Sequence, residues 1–463
     1  MVTQSNDVHK GGVGIVFQSV AGKKCLDRSD VATARRGVWP MAAKLSAALV
    51  MLVGLASAQA ESLPRLLKEA LASNPSVLAG QARAQSAQLG IESAEWQRYP
   101  TPFFNIETSR GGFSTGGEDE GDYVASLGFE QPLWTGGRLG AGIRKARATH
   151  NSSLADARAA RREVALGVIE GYGGWMSASL KRRAWENSLQ THEALREKVR
   201  RRAEQGVSSK SDLALADGRL ASTRADLSAA RAQEHVARLA LARLLGRTVK
   251  SAMHSTDRDV TPRLPDADTY ALLTQAQSQS PAVSRATAEL AVIGAEIGET
   301  ESALWPDVYM RFEYQHRHRA AADADSSGTR VSLGMRSALG AGLSSLSNIG
   351  VLQAQHDAAV TDVEIQRRIV DEQVSADLAM LRSFIPRVEA LQMSLDVAKT
   401  VSESYSRQFL AGRKTWLDVM NAARDLVNTE VQLGDANGAA FTVSWRLAVV
   451  TRGIDAVLKD MTP

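Results

Sequence analysis

Residues 206–213 read Gly206-Val207-Ser208-Ser209-Lys210-Ser211-Asp212-Leu213, and residues 412–419 read Gly412-Arg413-Lys414-Thr415-Trp416-Leu417-Asp418-Val419. Each stretch has a glycine followed by an aspartate, and each lies between two long helix-forming runs. Gly206 and Gly412 stand 206 positions apart, as do Asp212 and Asp418. The same offset joins Pro75 to Pro281, Pro100 to Pro306, Leu127-Gly128 to Leu333-Gly334, and Gly136 to Gly342. No insertion separates the two copies. A repeat of this length is a duplicated module, not a short-unit solenoid.

Working outward from the two glycines, the downstream runs keep a heptad. Leu213, Leu220 and Leu227 alternate with Ala216, Thr223 and Ala230. In the second copy Val419, Leu426 and Leu433 alternate with Ala422, Thr429 and Ala436. Heptads predict helices packed side by side as in a coiled coil. Upstream, residues 138–205 contain no proline, and as a helix they would span roughly 100 Å. The second copy predicts helices over 343–411 and 415–450, with a kink at Pro386. Gly171, Gly173 and Gly174 fall mid-helix and predict a close helix contact or a bend.

Further out, the period changes to two. Phe104, Ile106 and Thr108 alternate with Phe103, Asn105 and Glu107. Tyr123, Ala125, Leu127 and Phe129 alternate with Val124, Ser126, Gly128 and Glu130. Val308, Met310, Phe312 and Tyr314 alternate with Tyr309, Arg311, Glu313 and Gln315, and Val331, Leu333 and Met335 with Arg330, Ser332, Gly334 and Arg336. The expected strands cover about 101–110, 122–134, 307–316 and 329–338. Their length and one apolar face suit transmembrane strands. The connecting stretches 111–122 and 316–328 lack apolar patterning and predict solvated loops. His316, His318 and the acidic residues there have no regular ligand spacing, so no metal or cofactor is expected. Each copy opens with two short helical stretches, 63–74 and 75–96 in the first, 269–280 and 281–304 in the second, divided and stopped by proline.

Four strands cannot close a membrane barrel, and open edges are not tolerated in lipid. Barrels of this kind begin at eight strands, so the chain must pool strands with copies of itself.

Only 5% of residues are aromatic and 12 are proline, which fits long helices. The single Cys25 excludes a disulfide framework and a multi-cysteine zinc site. Residues 45–58 are apolar, follow Arg35, Arg36 and Lys44, and end in small residues. They predict a secretory signal cleaved after Ala58 or Ala60, with Met41 as an alternative start. Cys25 precedes this run, so a lipoprotein site is not expected. The net charge of +4 resides entirely in residues 1–60. The remainder is neutral, which argues against nucleic acid as a partner. The domain plan is therefore residues 1–60 as extension and signal, 61–266 as the first repeat with hairpin 138–247 and tip 206–212, and 267–463 as the second with hairpin 343–450 and tip 412–418. No paired metal-ligand spacing, nucleophile elbow or phosphate loop points to an enzyme.

Across residues 61–455 the chain resembles the TolC family of outer-membrane efflux and secretion channels. The resemblance rests on the Asn-Pro opening near Leu66 to Pro75, on Gln131-Pro132-Leu133-Trp134-Thr135-Gly136-Gly137 at a strand-to-helix turn, and on the two tips. It implies a mostly α, mixed α+β fold: a homotrimeric β-barrel of twelve strands in the outer membrane above a periplasmic tunnel of twelve helices. It also implies a periplasmic adaptor and an inner-membrane partner, an ABC transporter or a proton-driven pump. The resemblance assigns the periplasmic gate to Ser211, Asp212, Phe409, Lys414, Asp418 and Asn421. Phe409 lacks the hydroxyl of the family's tyrosine, and Asn421 stands where a second aspartate can occur. Adaptor contact falls on Gly206, Val207, Ser208, Gly412 and Arg413. The strand-to-helix turns use Pro132, Gly136, Gly137, Gly340 and Gly342, with Ala338-Leu339-Gly340 replacing the proline motif in the second copy. Asp212 and Asp418 also suit helix N-termini, where a carboxylate meets the positive end of the dipole.

A porin or adhesin barrel needs no long heptad hairpins, and a coiled-coil scaffold needs no signal or alternating strands. Between cargoes, the missing lipoprotein cysteine points to type I protein secretion, with multidrug or small-molecule efflux as the alternative.

Overall fold

A computed structural model describes residues 62–109, 122–249, 268–319, 324–337 and 344–460. The signal segment, Cys25, most of the 111–122 loop, and Gly340 and Gly342 lie outside the described residues.

The first copy comprises α1 (Leu63–Ser73), α2 (Pro75–Trp96), β1 (Thr101–Ser109), β2 (Asp122–Trp134), α3 (Arg138–Glu204) and α4 (Lys210–Leu245). The second repeats this order as α5 (Thr269–Gln279), α6 (Pro281–Ser302), β3 (Asp307–Arg319), β4 (Ala324–Arg336), α7 (Ser344–Leu410) and α8 (Trp416–Arg452), followed by α9 (Ile454–Asp460). No helix among the described residues is long and apolar enough to cross a membrane.

The Asn-Pro and Ser-Pro pairs make corners for a physical reason. Pro75 and Pro281 occupy the first turn of α2 and α6, where a missing N–H removes no helical bond. The Asn74 side chain accepts from the Ser76 N–H, and that of Ser280 from the Val283 N–H. Asn74 also donates to the Leu244 carbonyl at 2.9 Å, tying this corner to the end of α4.

The four strands form one antiparallel sheet in chain order. Its register puts Pro102, Phe129, Phe312 and Val331 in one row, and Phe104, Leu127, Tyr314 and Thr329 in the next. Paired residues share a face, so these rows make the apolar side. Phe129 and Phe312 stack with centroids 5.3 Å apart. The opposite face carries Thr101, Glu130, Arg311 and Ser332, then Phe103, Gly128, Glu313 and Arg330. There Glu130 accepts from Arg311 at 2.5 Å and from Arg336 at 3.3 Å, lacing three strands. The β3–β4 hairpin is longer than the expected strands, running to Arg319 and restarting at Ala324. Backbone pairing continues past the apolar residues, and His318 Nδ1 lies 2.7 Å from Asp325 across it, under the Tyr123 ring.

Below the sheet, α4, α3, α8 and α7 pack in that lateral order, with α2 on α3 and α6 bridging α3 and α7. Leu66, Leu67, Ile169, Tyr172, Trp175, Leu241 and Phe441 form the central core. A second core joins Leu272, Val374, Leu381, Leu447 and Val450. Arg446 pairs with the buried Asp377 across α7 and α8, and this carboxylate holds the guanidinium pKa above its usual value. The mid-helix glycines divide. A Cβ on Gly173 would sit 2.1 Å from Thr442 Oγ1, and one on Gly438 would sit 2.8 Å from the Gly173 carbonyl oxygen. Here α3 and α8 cross at backbone distance. Gly171 abuts Leu241, whereas Gly174 faces open space. α7 continues as one helix through Pro386.

Candidate functional site

At the far end from the sheet, each hairpin turns over a glycine with φ near +73°. A side chain is strained in this conformation, which explains glycine at both tips. The Val207 N–H donates to the Arg202 carbonyl at 2.8 Å and the Gly206 N–H to that of Ala203 at 3.0 Å. Arg413 and Gly412 repeat the pattern onto Gln408 and Phe409 at 2.9 and 3.0 Å. These paired bonds satisfy carbonyls orphaned at the ends of α3 and α7.

The aspartates then start the return helices. Ser209 and Asp212 form a reciprocal capping box: the Ser209 N–H donates to the carboxylate at 3.1 Å and the Asp212 N–H to the serine hydroxyl at 3.0 Å. Thr415 and Asp418 do the same at 3.0 and 3.3 Å. The Thr415 side chain and N–H, with Lys414 adding to them, hold the Asp418 pKa below the ordinary carboxylate value. The geometry therefore places both aspartates as caps within one chain. Ser211 and Asn421 are exposed, and among the described residues neither they nor Asp212 makes a hydrogen bond to the other hairpin. Val207 is 61% exposed, and Gly206, Gly412 and Arg413 are also at the surface.

Phe409 behaves differently. It is buried, 5.6 Å from the Trp416 ring, in a core with Leu195, Val199, Ala216, Val419, Met420 and Ala423. That core draws on all four long helices and holds the two hairpins together. Lys414 rests 4.4 Å from the Tyr405 ring centroid on its own hairpin. One residue that sequence reading passes over completes the site. Arg202 Nη1 donates to the Phe409 carbonyl at 3.2 Å, is 3.4 Å from that of Leu410, and the guanidinium lies 4.8 Å from the Phe409 ring centroid. The run Arg200-Arg201-Arg202 does not reveal which arginine turns inward. Arg200 and Arg201 bind Glu197 on their own helix, leaving Arg202 for the other hairpin.

At the opposite end of α3, Gly136 and Gly137 take φ of 58° and 94°, and a Cβ on Gly136 would strike Trp305 at 2.6 Å. The sheet register shifts between Pro132 and Trp134, where proline cannot donate to the ladder. Arg138 pairs with Asp307 at 3.0 Å, joining the two copies at the junction.

The sequence profile of the outer membrane efflux protein family matches residues 66–247 and 272–451. The chain belongs to this family. Its channels are duct proteins without catalytic activity, set in the Gram-negative outer membrane with a long periplasmic helical portion. Family channels are homotrimers that work with periplasmic adaptors and inner-membrane pumps. No curated protein matches the chain by sequence. Among solved structures, the chain is similar to CusC, with 20% identity and a TM-score of 0.75, covering 85% of this chain and 92% of that one. VceC of Vibrio cholerae is 17% identical, with a TM-score of 0.72 over 84% of this chain and 96% of VceC. MtrE of Neisseria gonorrhoeae, in its open state, is 19% identical, with a TM-score of 0.71 over 84% and 89%. These likenesses establish a shared fold: the efflux channel's sheet and its stack of long helices.

Proposed function

We propose that three copies of this chain close into one exit duct, passive in itself and gated at the helix tips. The observation that carries this reading is a matched pair of open edges. β1 and β4 each pair on one side only, and their apolar faces expose Phe104, Ile106, Val331 and Leu333. In the helical layer, the two outer helices expose apolar side chains too: Val236 and Leu239 on α4, and Val360, Ile365 and Ile369 on α7. A lipid-spanning sheet with unpaired edges is unstable. Joining β4 to β1 and α7 to α4 of successive copies removes both sets of edges at once. Ser211, Asp212, Lys414, Asp418 and Asn421 would then ring the narrow end, Val207, Ser208, Gly206, Gly412 and Arg413 would face the adaptor, and the inner-membrane partner would supply the energy.

For cargo, the efflux family description supports small molecules. Type I protein secretion is supported by the place of the only cysteine, Cys25, ahead of the apolar segment 45–58 rather than behind it. The test is a strain lacking the gene, complemented with the wild-type chain. Restored resistance to toxic small molecules identifies efflux, and restored appearance of a polypeptide in the medium identifies secretion. Restoration of neither, with the protein correctly assembled in the outer membrane, rejects the duct.

A further inference from the structure

We infer that a cavity among α3, α4 and α8 is a binding site for a small phenolic acid, an aromatic ring with a hydroxyl at one end and a carboxylate at the other. The cavity measures about 220 Å³ and is lined by one chain alone, so the site is complete without a second copy. On its α3 wall, His192 stands fourteen residues before Gly206, about 20 Å along the helix from the tip. The side chain is buried, at 7% exposure. Its Nδ1 lies 2.8 Å from the Ser188 carbonyl oxygen, which can only accept, so Nδ1 carries the proton. Nε2 is left as an acceptor, with no hydrogen-bond partner among the described residues. Burial first, and then the charge of Arg219, hold the His192 pKa below its ordinary value, so the ring is neutral at neutral pH. A buried acceptor beside a cavity is satisfied by a ligand that brings a donor.

Toward solvent the chemistry reverses. Arg219 on α4 and Arg424 on α8 line the same cavity. Neither guanidinium has a carboxylate or hydrogen-bond partner among the described residues. Other arginines of the first hairpin are paired: Arg196 with Asp217, Arg224 with Glu193, and Arg231 with Glu186. Asp226 also lines the cavity, and two cations against one anion leave a positive surplus there. Arg424 is exposed and His192 is buried, so the cationic end is the outer one. Trp185, Met420 and Val427 add apolar surface to the lining, which suits an aromatic ring. A simple inorganic anion would meet the arginines and leave that surface uncovered. A phenolic acid meets all three parts: hydroxyl to Nε2, ring to the apolar wall, carboxylate to the guanidiniums. The duplication does not copy this set. Ala398 is the repeat mate of His192, and Asp425 that of Arg219.

The test is isothermal titration calorimetry on the assembled, detergent-extracted protein. Para-hydroxybenzoate should bind saturably, one molecule per chain. Para-methoxybenzoate has no hydroxyl proton, and para-hydroxybenzyl alcohol has no charge. Each should bind about tenfold more weakly, the loss expected for one hydrogen bond or charged contact. Arg424→Gln, at an exposed position, should weaken para-hydroxybenzoate about tenfold and leave para-hydroxybenzyl alcohol unchanged. His192→Phe should bring the hydroxy and methoxy acids to equal affinity. Should that variant fail to assemble, the ratio of the two acids on the wild type decides the hydroxyl contact by itself. Absence of saturable binding, equal affinity for all three compounds on the wild type, inorganic phosphate bound as tightly as para-hydroxybenzoate, or unchanged affinity in Arg424→Gln would each overturn the site.

Discussion

The two tip aspartates fill one of the two roles their position suggests, that of helix cap. Each closes a capping box on its own helix, and neither reaches the other hairpin of its chain. Ser209→Ala should lower stability by about 0.5–2 kcal/mol through loss of the cap, read as faster amide exchange in the first turn of α4. Asp418 has a further consequence. A carboxylate whose folded pKa lies below its ordinary 3.8 contributes stability that is complete above that value and lost as pH falls through the lower folded value. Amide protection in the first turn of α8 should therefore hold at neutral pH and decline only below about pH 4. A decline centred near neutrality would contradict the cap. That the aspartates suit helix N-termini was legible because the signal is local, a turn glycine and a carboxylate six positions on, whereas their hydroxyl partners Ser209 and Thr415 emerge only in the structure. Arg202 was not legible, because its partners lie on the other repeat and one arginine in a run looks like the next.

At the scale of elements, period and punctuation carried most of the information. Alternation located all four strands because the apolar face needs one side chain in two. It missed the outer ends of β3 and β4, where pairing continues through residues such as Arg317, His318 and Ser326. Backbone hydrogen bonds hold a ladder whatever its side chains. The sheet faces make a direct test. Phe312→Arg, on the apolar row, should cost about 2–4 kcal/mol near the bilayer midplane, whereas Glu313→Gln on the other face should leave barrel folding into lipid vesicles nearly unchanged. The glycines of α3 make another. Gly173→Ala drives a methyl into Thr442 and the Gly438 backbone, and should cost about 1–3 kcal/mol. Gly174→Ala meets nothing and should stabilise by about 0.5–1 kcal/mol. Thermal unfolding of the two variants should move in opposite directions. Sequence placed both glycines mid-helix, but which of them faces the partner depends on helix rotation, fixed only by packing.

At the scale of the whole molecule, duplication explains why a single chain looks unfinished. Two copies of strand pair and hairpin make a sheet and a helical layer with two free sides each, and both sets of free sides expose apolar side chains. Sequence length and strand count were enough to require partners. They did not reveal which helices lie outermost, because that follows from the lateral order α4, α3, α8, α7. Sedimentation equilibrium of the detergent-extracted protein, in solvent matched to the detergent density, tests the closure most directly. A single species of three times the chain mass is predicted, and a stable, folded monomer would contradict it.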